Sequence, residues 1–146
     1  MAHYAIVNES NIVTKVITGV DEDDTSNLPE GFDSWEAWYE DSLSVHKVLR
    51  CSYNTKGGVH YVITNDSIVA SDDQSKAFRA NYPWTNWVYD EDNDIFHEPQ
   101  PHASWTLNTT TGFWEAPIDK PDDGNRYDWN ESAYQADNSQ GWELYE

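Results

Sequence analysis

The chain has few aliphatic residues and few basic residues. Leu, Ile, Val and Phe together make up 26 of its 146 residues, and only 8 Lys and Arg face 27 Asp and Glu, for a formal net charge of −19. A combined share of about 18% for these four residue types, together with such a charge, is typical of intrinsically disordered chains, for which the usual mark is about 20%. Composition alone would therefore predict disorder.

Other scarcities exclude whole classes of protein. A single cysteine, Cys51, excludes an intrachain disulfide, and such a residue in a strand is usually a small buried hydrophobe. No apolar run approaches the ~20 residues of a membrane span. The first residues, Met1–Tyr4, lack the basic and apolar segments of a secretory signal. Because DNA, RNA and anionic lipid are held by Lys and Arg, we expect no nucleic-acid or membrane partner.

Aromatic residues are abundant: the chain carries 8 Trp, 9 Tyr and 4 Phe. Disordered chains are poor in aromatics, and each ring can bury roughly 150–250 Å². These rings can replace the missing aliphatic core, so we predict a folded protein with a strongly acidic surface. The alternation of β-branched and aromatic residues indicates a mainly β fold of hairpins and small sheets with at most one short helix.

The N-terminal part predicts an initial hairpin, a helix and two further strands. The hairpin arms are residues 4–7 and 12–20, and the helix lies near residues 33–43, with Asp33 as its cap and Glu36 completing a capping box. Apolar side chains at helical spacing would share one face of it: Trp35, Trp38, Tyr39 and Leu43. The further strands, residues 45–53 and 59–63, are predicted to be joined by the turn between them.

An internal repeat occupies the last 60 residues. Residues 87–90 with 95–99 form one copy, and residues 105–108 with 113–117 form the second at a constant offset of 18; a looser third copy runs from Tyr127 to Tyr145. Each copy predicts a hairpin with a ring on each arm, a turn opened by Asp or Asn, and a proline that ends the return strand in the first two copies. We therefore divide the chain into a β-rich domain, residues 1–82, and a tandem aromatic hairpin region, residues 83–146, with one continuous domain as the alternative.

No motif predicts a metal, a cofactor or a catalytic centre. Residues 90–94 begin like a calcium loop, but Ile95 stands where that loop needs glycine and Pro101 where it needs glutamate. We interpret the segment as a solvated hairpin turn. The five histidines lack the spacing of a zinc site, and nothing selects two of the many carboxylates as a glycosidase pair. We therefore predict a protein that is not an enzyme.

Blocks of sequence along most of the chain resemble small virion-associated or hypothetical proteins of marine bacteriophages, notably cyanophages. The matching blocks follow in the same order: residues 1–8, 12–17, 52–61, 78–82, 99–101, 104–107, 114–117 and 121–124. The chain departs from the pattern at residues 33–43, 83–87 and 135–141. The resemblance implies a virion protein made in the host cytoplasm, and it brings no catalytic residues.

We therefore expect a structural protein of the phage particle, most simply a capsid decoration protein that docks on the head through aromatic contacts. Its partners would be the major capsid protein or tail proteins, with a closed homo-oligomer as a further expectation. The residues assigned to the interface are Trp84, Trp87, Trp105, Trp114, Trp129 and Trp142, although the low aliphatic count favours core roles for such rings. The alternatives are a tail-fibre or host-glycan-binding module and, less favoured, a small carbohydrate hydrolase.

Overall fold

The computed structural model describes residues 2–146, and these residues form a mainly β protein, as predicted. Neither helix of this part has the length and apolar character of a membrane span. The elements in chain order are β1 (Ala2–Val7), β2 (Val13–Gly19), α1 (Trp35–Leu43), β3 (Lys47–Cys51), β4 (Thr55–Lys56), β5 (Val59–Thr64), β6 (Ser67–Ala70), β7 (Val88–Asp90), β8 (Ile95–His97), β9 (Thr106–Asn108), β10 (Phe113–Glu115), β11 (Tyr127–Trp129), α2 (Glu131–Ala136) and β12 (Trp142–Leu144).

The chain forms two compact units. Unit 1 contains residues 2–99 together with Thr109–Phe113, and unit 2 contains Gln100–Asn108 and Trp114–Glu146. The boundary between the two units lies after Pro99. The predicted domain boundary, placed where the composition changes, lies at Pro83. The physical reason is that β7 and β8, the first copy of the repeat, contribute Tyr89 and Phe96 to a buried cluster of unit 1.

The central element of unit 1 is β1, which lies between β2 and β3 in an antiparallel sheet of three strands. Its side chains are buried on both faces, because a strand directs successive residues to opposite sides. Ala2 and Tyr4 pack with Trp35 of α1 on one face. Ala5 and Val7 belong to the cluster on the other face, which Tyr89 and Phe96 complete. Aromatic side chains thus cover the sheet from both sides.

Helix α1 begins one residue later than predicted. Its N-cap is Ser34, whose hydroxyl oxygen accepts a hydrogen bond from the amide of Ala37 at 3.1 Å, so the capping box starting at Asp33 is wrong. The carboxylate of Glu36 instead accepts from the amide of Arg50 on β3 at 2.8 Å. The predicted aromatic face is confirmed, since Trp35 is buried and the partly buried Trp38 and Tyr39 pack against the same cluster.

One further prediction about this helix needs correction. Leu43 is 44% exposed and does not extend the apolar face of the helix. The two strands predicted after the helix are present as β3 and β5; β3 pairs with β1, whereas β5 lies in a separate sheet of order β4-β5-β6. Strand β6 pairs with β5 after a two-residue turn.

Hairpin β7–β8 is fixed to the main sheet by backbone hydrogen bonds as well as by its rings. The amide of Val13 donates to the carbonyl of Trp87 at 2.8 Å, and the amide of Asn86 donates to the carbonyl of Val13 at 2.8 Å. Across the hairpin Tyr89 faces Phe96, with ring centroids 5.5 Å apart. The cross-strand aromatic pair predicted for the first copy is therefore confirmed.

All three copies of the repeat contain a two-stranded pairing: β7 with β8, β9 with β10, and β11 with β12. The third copy differs because helix α2 lies between its strands, so the prediction of at most one helix is wrong. The side chain of Asn130 caps this helix by accepting from the amide of Ala133 at 2.9 Å. Trp129 and Trp142 face each other across the third pairing, with ring centroids 5.1 Å apart.

From the fold we expect the first hairpin of the repeat to contribute strongly to the free energy of unfolding of unit 1. Replacing the fully buried ring of Phe96 in F96A should lower the free energy of unfolding by about 3–5 kcal/mol, because the deletion leaves a cavity beside β1. Urea unfolding followed by tryptophan fluorescence measures this loss. The conservative F96L variant should lose less than F96A, and equal losses would contradict the packing described here.

Candidate functional site

An aromatic groove of about 820 Å³ lies on unit 1. Three rings at its border are strongly exposed: Trp84 at 72%, Tyr53 at 69% and Phe113 at 40%. The half-buried rings of Tyr82 and Trp87 also line it. Single exposed apolar side chains are ordinary on protein surfaces, but a concave group of five rings is typical of a binding surface.

The rings of the groove are held by neighbours that leave their outer surfaces exposed. Tyr53 packs edge-on against Tyr82 with centroids 5.3 Å apart, and Tyr82 in turn packs edge-on against His3 at 5.5 Å. The amide of Trp87 donates to the carbonyl of Trp84 at 3.1 Å, which closes a tight turn after the buried Pro83. This turn directs Trp87 toward the core cluster and leaves Trp84 in solvent.

Phe113 reaches the groove through a close approach to the turn between β4 and β5. Gly57 lies at φ +60°, and a Cβ there would stand 2.8 Å from the Phe113 ring. Any other residue at this position would both strain the backbone and displace the ring. The turn and the ring therefore depend on each other.

Asn81 ties strand β8 to the turn between β4 and β5 and to the turn between β9 and β10. Its Oδ1 accepts from the amide of Gly57 at 2.8 Å, and its Nδ2 donates to the carbonyls of Phe96 and Thr111, both at 3.0 Å. The Asn81 side chain is almost fully buried, and its bond to Phe96 is made away from water. Arg79 and Ala80 just before it adopt positive φ angles of 49° and 66°, which costs free energy at non-glycine residues.

The charge around the groove differs from that of the chain as a whole. Lys15 and Lys56, two of the chain's 8 basic residues, line it together with one carboxylate, Glu98. Burial raises the pKa of the Tyr82 hydroxyl, so Tyr82 is neutral at pH 7. The groove is thus an aromatic, weakly polar surface within a strongly acidic protein.

A second apolar surface of unit 1 is the hairpin of β5 and β6. Val62 faces Val69 and Ile63 faces Ile68 across it, and all four side chains are exposed, Ile63 at 77% and Ile68 at 71%. Adjacent pairs of a hairpin point to opposite faces, so both of its faces carry aliphatic side chains. The turn residues Asn65 and Asp66 have φ angles of 48° and 64°, as the tight turn of a two-residue hairpin requires.

Unit 2 contains a cluster of three indole rings. Trp105 lies 6.0 Å from Trp129 and 5.9 Å from Trp142, measured between ring centroids, and Tyr134 of α2 packs on Trp129 at 5.5 Å. The indole nitrogen of Trp142 donates to the carbonyl of Ile118 at 2.7 Å. These rings provide the packed centre of a unit that has few aliphatic residues.

Glu131 closes this cluster by accepting hydrogen bonds from several elements of unit 2. Its Oε1 accepts from the hydroxyl of Ser104 at 2.6 Å and from the indole nitrogen of Trp129 at 2.9 Å, and its Oε2 accepts from Gln135 at 2.7 Å. The bonds from Ser104, Trp129 and Gln135 lower the pKa of this carboxyl to about 2, with the bond from Ser104 contributing most. The ionised form is therefore part of the folded structure of unit 2.

The structure separates the six tryptophans that the sequence assigned to an interface. Trp84 and Trp87 line the groove, Trp105, Trp129 and Trp142 form the cluster of unit 2, and Trp114 is half-buried on β10. Sequence reasoning missed Tyr53 and Phe113, which complete the groove from distant parts of the chain. It also missed the aliphatic hairpin, whose signal was the Asn65-Asp66 turn between two β-branched pairs.

Two groups that could bind a metal or react, the acidic turn after β7 and the thiol of Cys51, take part in the packing of unit 1. In the acidic turn after β7, Asp90 accepts from the amide and side chain of Asn93, and Asp94 accepts from Arg79 at 2.8 Å and from Tyr89 at 2.7 Å. Within residues 2–146 no three His, Cys, Asp or Glu are placed to share a metal ion. The thiol of Cys51 is fully buried, and this burial raises its pKa to about 12.

Asn81 provides a test of how the groove is built. The N81A variant should lose about 2–4 kcal/mol in the free energy of unfolding, because three backbone groups lose a hydrogen bond and the one at Phe96 is buried. Denaturant unfolding measures the loss, and N138A, at an exposed turn, should change the free energy by less than about 0.5 kcal/mol. Equal, small effects in both variants would show that Asn81 does not hold the turns together.

Glu131 provides a pH-dependent test of unit 2. Because the pKa of this carboxyl is lower in the folded state than its ordinary value of 4.5, its contribution is complete above that value and is lost as the pH falls toward about 2. In E131Q the difference between the thermal unfolding midpoints at pH 6 and pH 2.5 should be smaller than in the natural chain. An identical pH dependence of the two proteins would contradict the role of Glu131.

Comparisons of the chain with protein-family models, with curated proteins and with solved structures find no match. Its function is therefore inferred from its own residues. The groove brings together three exposed rings, Tyr53, Trp84 and Phe113.

Proposed function

We propose that the chain is a structural protein of a bacteriophage particle that docks on another virion protein through the aromatic groove of unit 1. The most favoured location is the head surface, where it would act as a capsid decoration or accessory protein. The phage assignment rests on the sequence blocks that resemble virion-associated proteins. The docking surface rests on the structure, and the observation that carries it is the convergence of Tyr53, Trp84 and Phe113, all exposed, on one groove.

The energetics of protein interfaces support this use of the groove. Binding energy concentrates in a few aromatic or arginine side chains that become fully desolvated, and tryptophan and tyrosine are the most frequent of these. Trp84 is 72% exposed and stands on a turn whose backbone is fixed by hydrogen bonds. A tryptophan side chain has only two rotatable χ angles, so it loses little conformational entropy on binding and most of its burial free energy would contribute to affinity.

The charge of the chain supports a protein partner with a basic surface around an apolar contact. A net charge of −19 steers the molecule toward positive potential and away from packaged DNA. The lysines beside the rings, Lys15 and Lys56, reduce the repulsion that a nearby carboxylate of the partner would otherwise meet. Such steering makes the association rate fall as ionic strength rises.

A second candidate function is binding of host glycans as a tail or tail-fibre module. The observation that favours it is the pairing of exposed rings with charged side chains in one groove, since rings provide apolar stacking surfaces and polar groups give specificity. The same Trp84 and Tyr53 would contact the sugar. The two functions therefore share their residues and differ in the ligand.

The location can be tested by counting copies of the chain in purified particles by mass spectrometry. A head decoration protein should be present in hundreds of copies, because a symmetric shell repeats its docking site many times. A few dozen copies would indicate a tail component, and absence from the particles would refute both virion locations.

The groove can be tested with purified protein added to particles that lack it. The W84A variant should bind about 30-fold more weakly, as expected when an interface loses a central tryptophan, while its thermal stability stays nearly unchanged. Y145A removes an exposed ring of unit 2 and serves as the matched control. Equal binding by W84A and the natural chain would refute docking through the groove, and selective binding to a glycan array would favour the second candidate.

A further inference from the structure

Arg50 is buried without the hydrogen bonds that a buried guanidinium requires. Its side chain is only 6% exposed, and among the described residues its Nε and Nη1 have no hydrogen-bond partner. The nearest carboxylate, that of Asp21, lies 3.6 Å from Nη1, which exceeds the ~2.7–2.9 Å of a charge-assisted hydrogen bond. The guanidinium lies over the ring of Phe78 at 4.7 Å. Burial of unpaired donors is costly, so this arrangement calls for an acceptor.

A polar cavity of about 340 Å³ is lined by this side chain, and it shares Tyr53 with the aromatic groove. Arg50 and Lys76 line it together with Asp21, and the side chains of Ser52 and Asn54 add further hydrogen-bonding groups. Lys76 Nζ lies 3.9 Å from Asp21 Oδ2, so both cations stand farther from this carboxylate than a hydrogen bond allows. Two of the chain's 8 basic residues thus converge on one incompletely paired acidic group.

We propose that this cavity, lined by Arg50 and Lys76, binds a small oxyanion, either a phosphate or a carboxylate. The planar guanidinium presents parallel donors that match two oxygens of such a group, and a lysine supplies a point charge. A volume of about 340 Å³ is at the small end of ligand sites and suits a single anionic group. Asp21 acts as the internal counter-ion that the ligand displaces.

The placement of Asp21 makes this displacement feasible. Asp21 lies in the loop after β2, outside any strand, and its side chain is 34% exposed. Arg50 by contrast is a buried residue of strand β3, which is paired with β1. Since the chain as a whole repels anions, saturable binding of one would have to come from a specific site and not from general electrostatic attraction.

The test is a titration of the natural chain with sodium phosphate and, separately, with sodium acetate, each against sodium chloride of equal ionic strength. The ¹H–¹⁵N resonance of the Arg50 Nε–H group reports binding directly. We expect saturable binding of at least one of the two ions, and the two titrations distinguish a phosphate site from a carboxylate site. Binding of neither ion overturns the proposal.

Variants separate this site from adventitious binding. D21N removes the competing carboxylate and should tighten binding at least 5-fold, whereas K76A should weaken it by a similar factor. K120A removes an exposed lysine of unit 2 and should change nothing. Affinity that is the same in D21N and K76A as in the natural chain, or binding seen only in D21N, overturns the proposal. Thermal unfolding of each variant without ligand verifies that it is folded.

Discussion

The burial of β1 on both faces is the constraint on which unit 1 depends. A strand in a three-stranded sheet needs cover on two sides, and the chain has too few aliphatic residues to supply two ordinary layers. Aromatic side chains meet this need from opposite directions: Trp35 from a short helix on one face, and Tyr89 and Phe96 from the first repeated hairpin on the other. The hairpin thereby becomes part of the core, and the loop preceding it is held where its outer tryptophan borders the groove.

Local features of this architecture were predictable from the sequence. Alternating β-branched residues around a polar turn indicated β1 and β2, and the 18-residue offset indicated the paired strands of the first two repeat copies. The spacing of Trp35, Trp38 and Tyr39 indicated the inner face of α1. Each of these signals lies within about twenty residues, so neighbouring side chains alone determine it.

Contacts between distant segments were not predictable in the same way. The pairing of β3 with β1 joins Cys51 to His3, and nothing in either segment excludes the adjacent β5 as a partner. The groove likewise joins Tyr53, Trp84 and Phe113, which no sequence period relates. Asn81 resembles an ordinary turn residue in the sequence, and its role follows only from the two turns and the strand that it joins. The sequence therefore indicated local elements, but not which distant rings meet.

The hairpin of β5 and β6 exposes aliphatic side chains, so the acidic charge of the chain matters for keeping its molecules apart. With valine and isoleucine on both of its faces and an unpaired outer edge, this hairpin is the kind of segment that joins to copies of itself. Mutual repulsion between molecules of charge −19 opposes such contacts over the Debye length, which is about 8 Å at physiological ionic strength and about 3 Å at 1 M salt. Strong salt or acid should therefore favour contacts between these hairpins by weakening the repulsion, even where the fold itself survives.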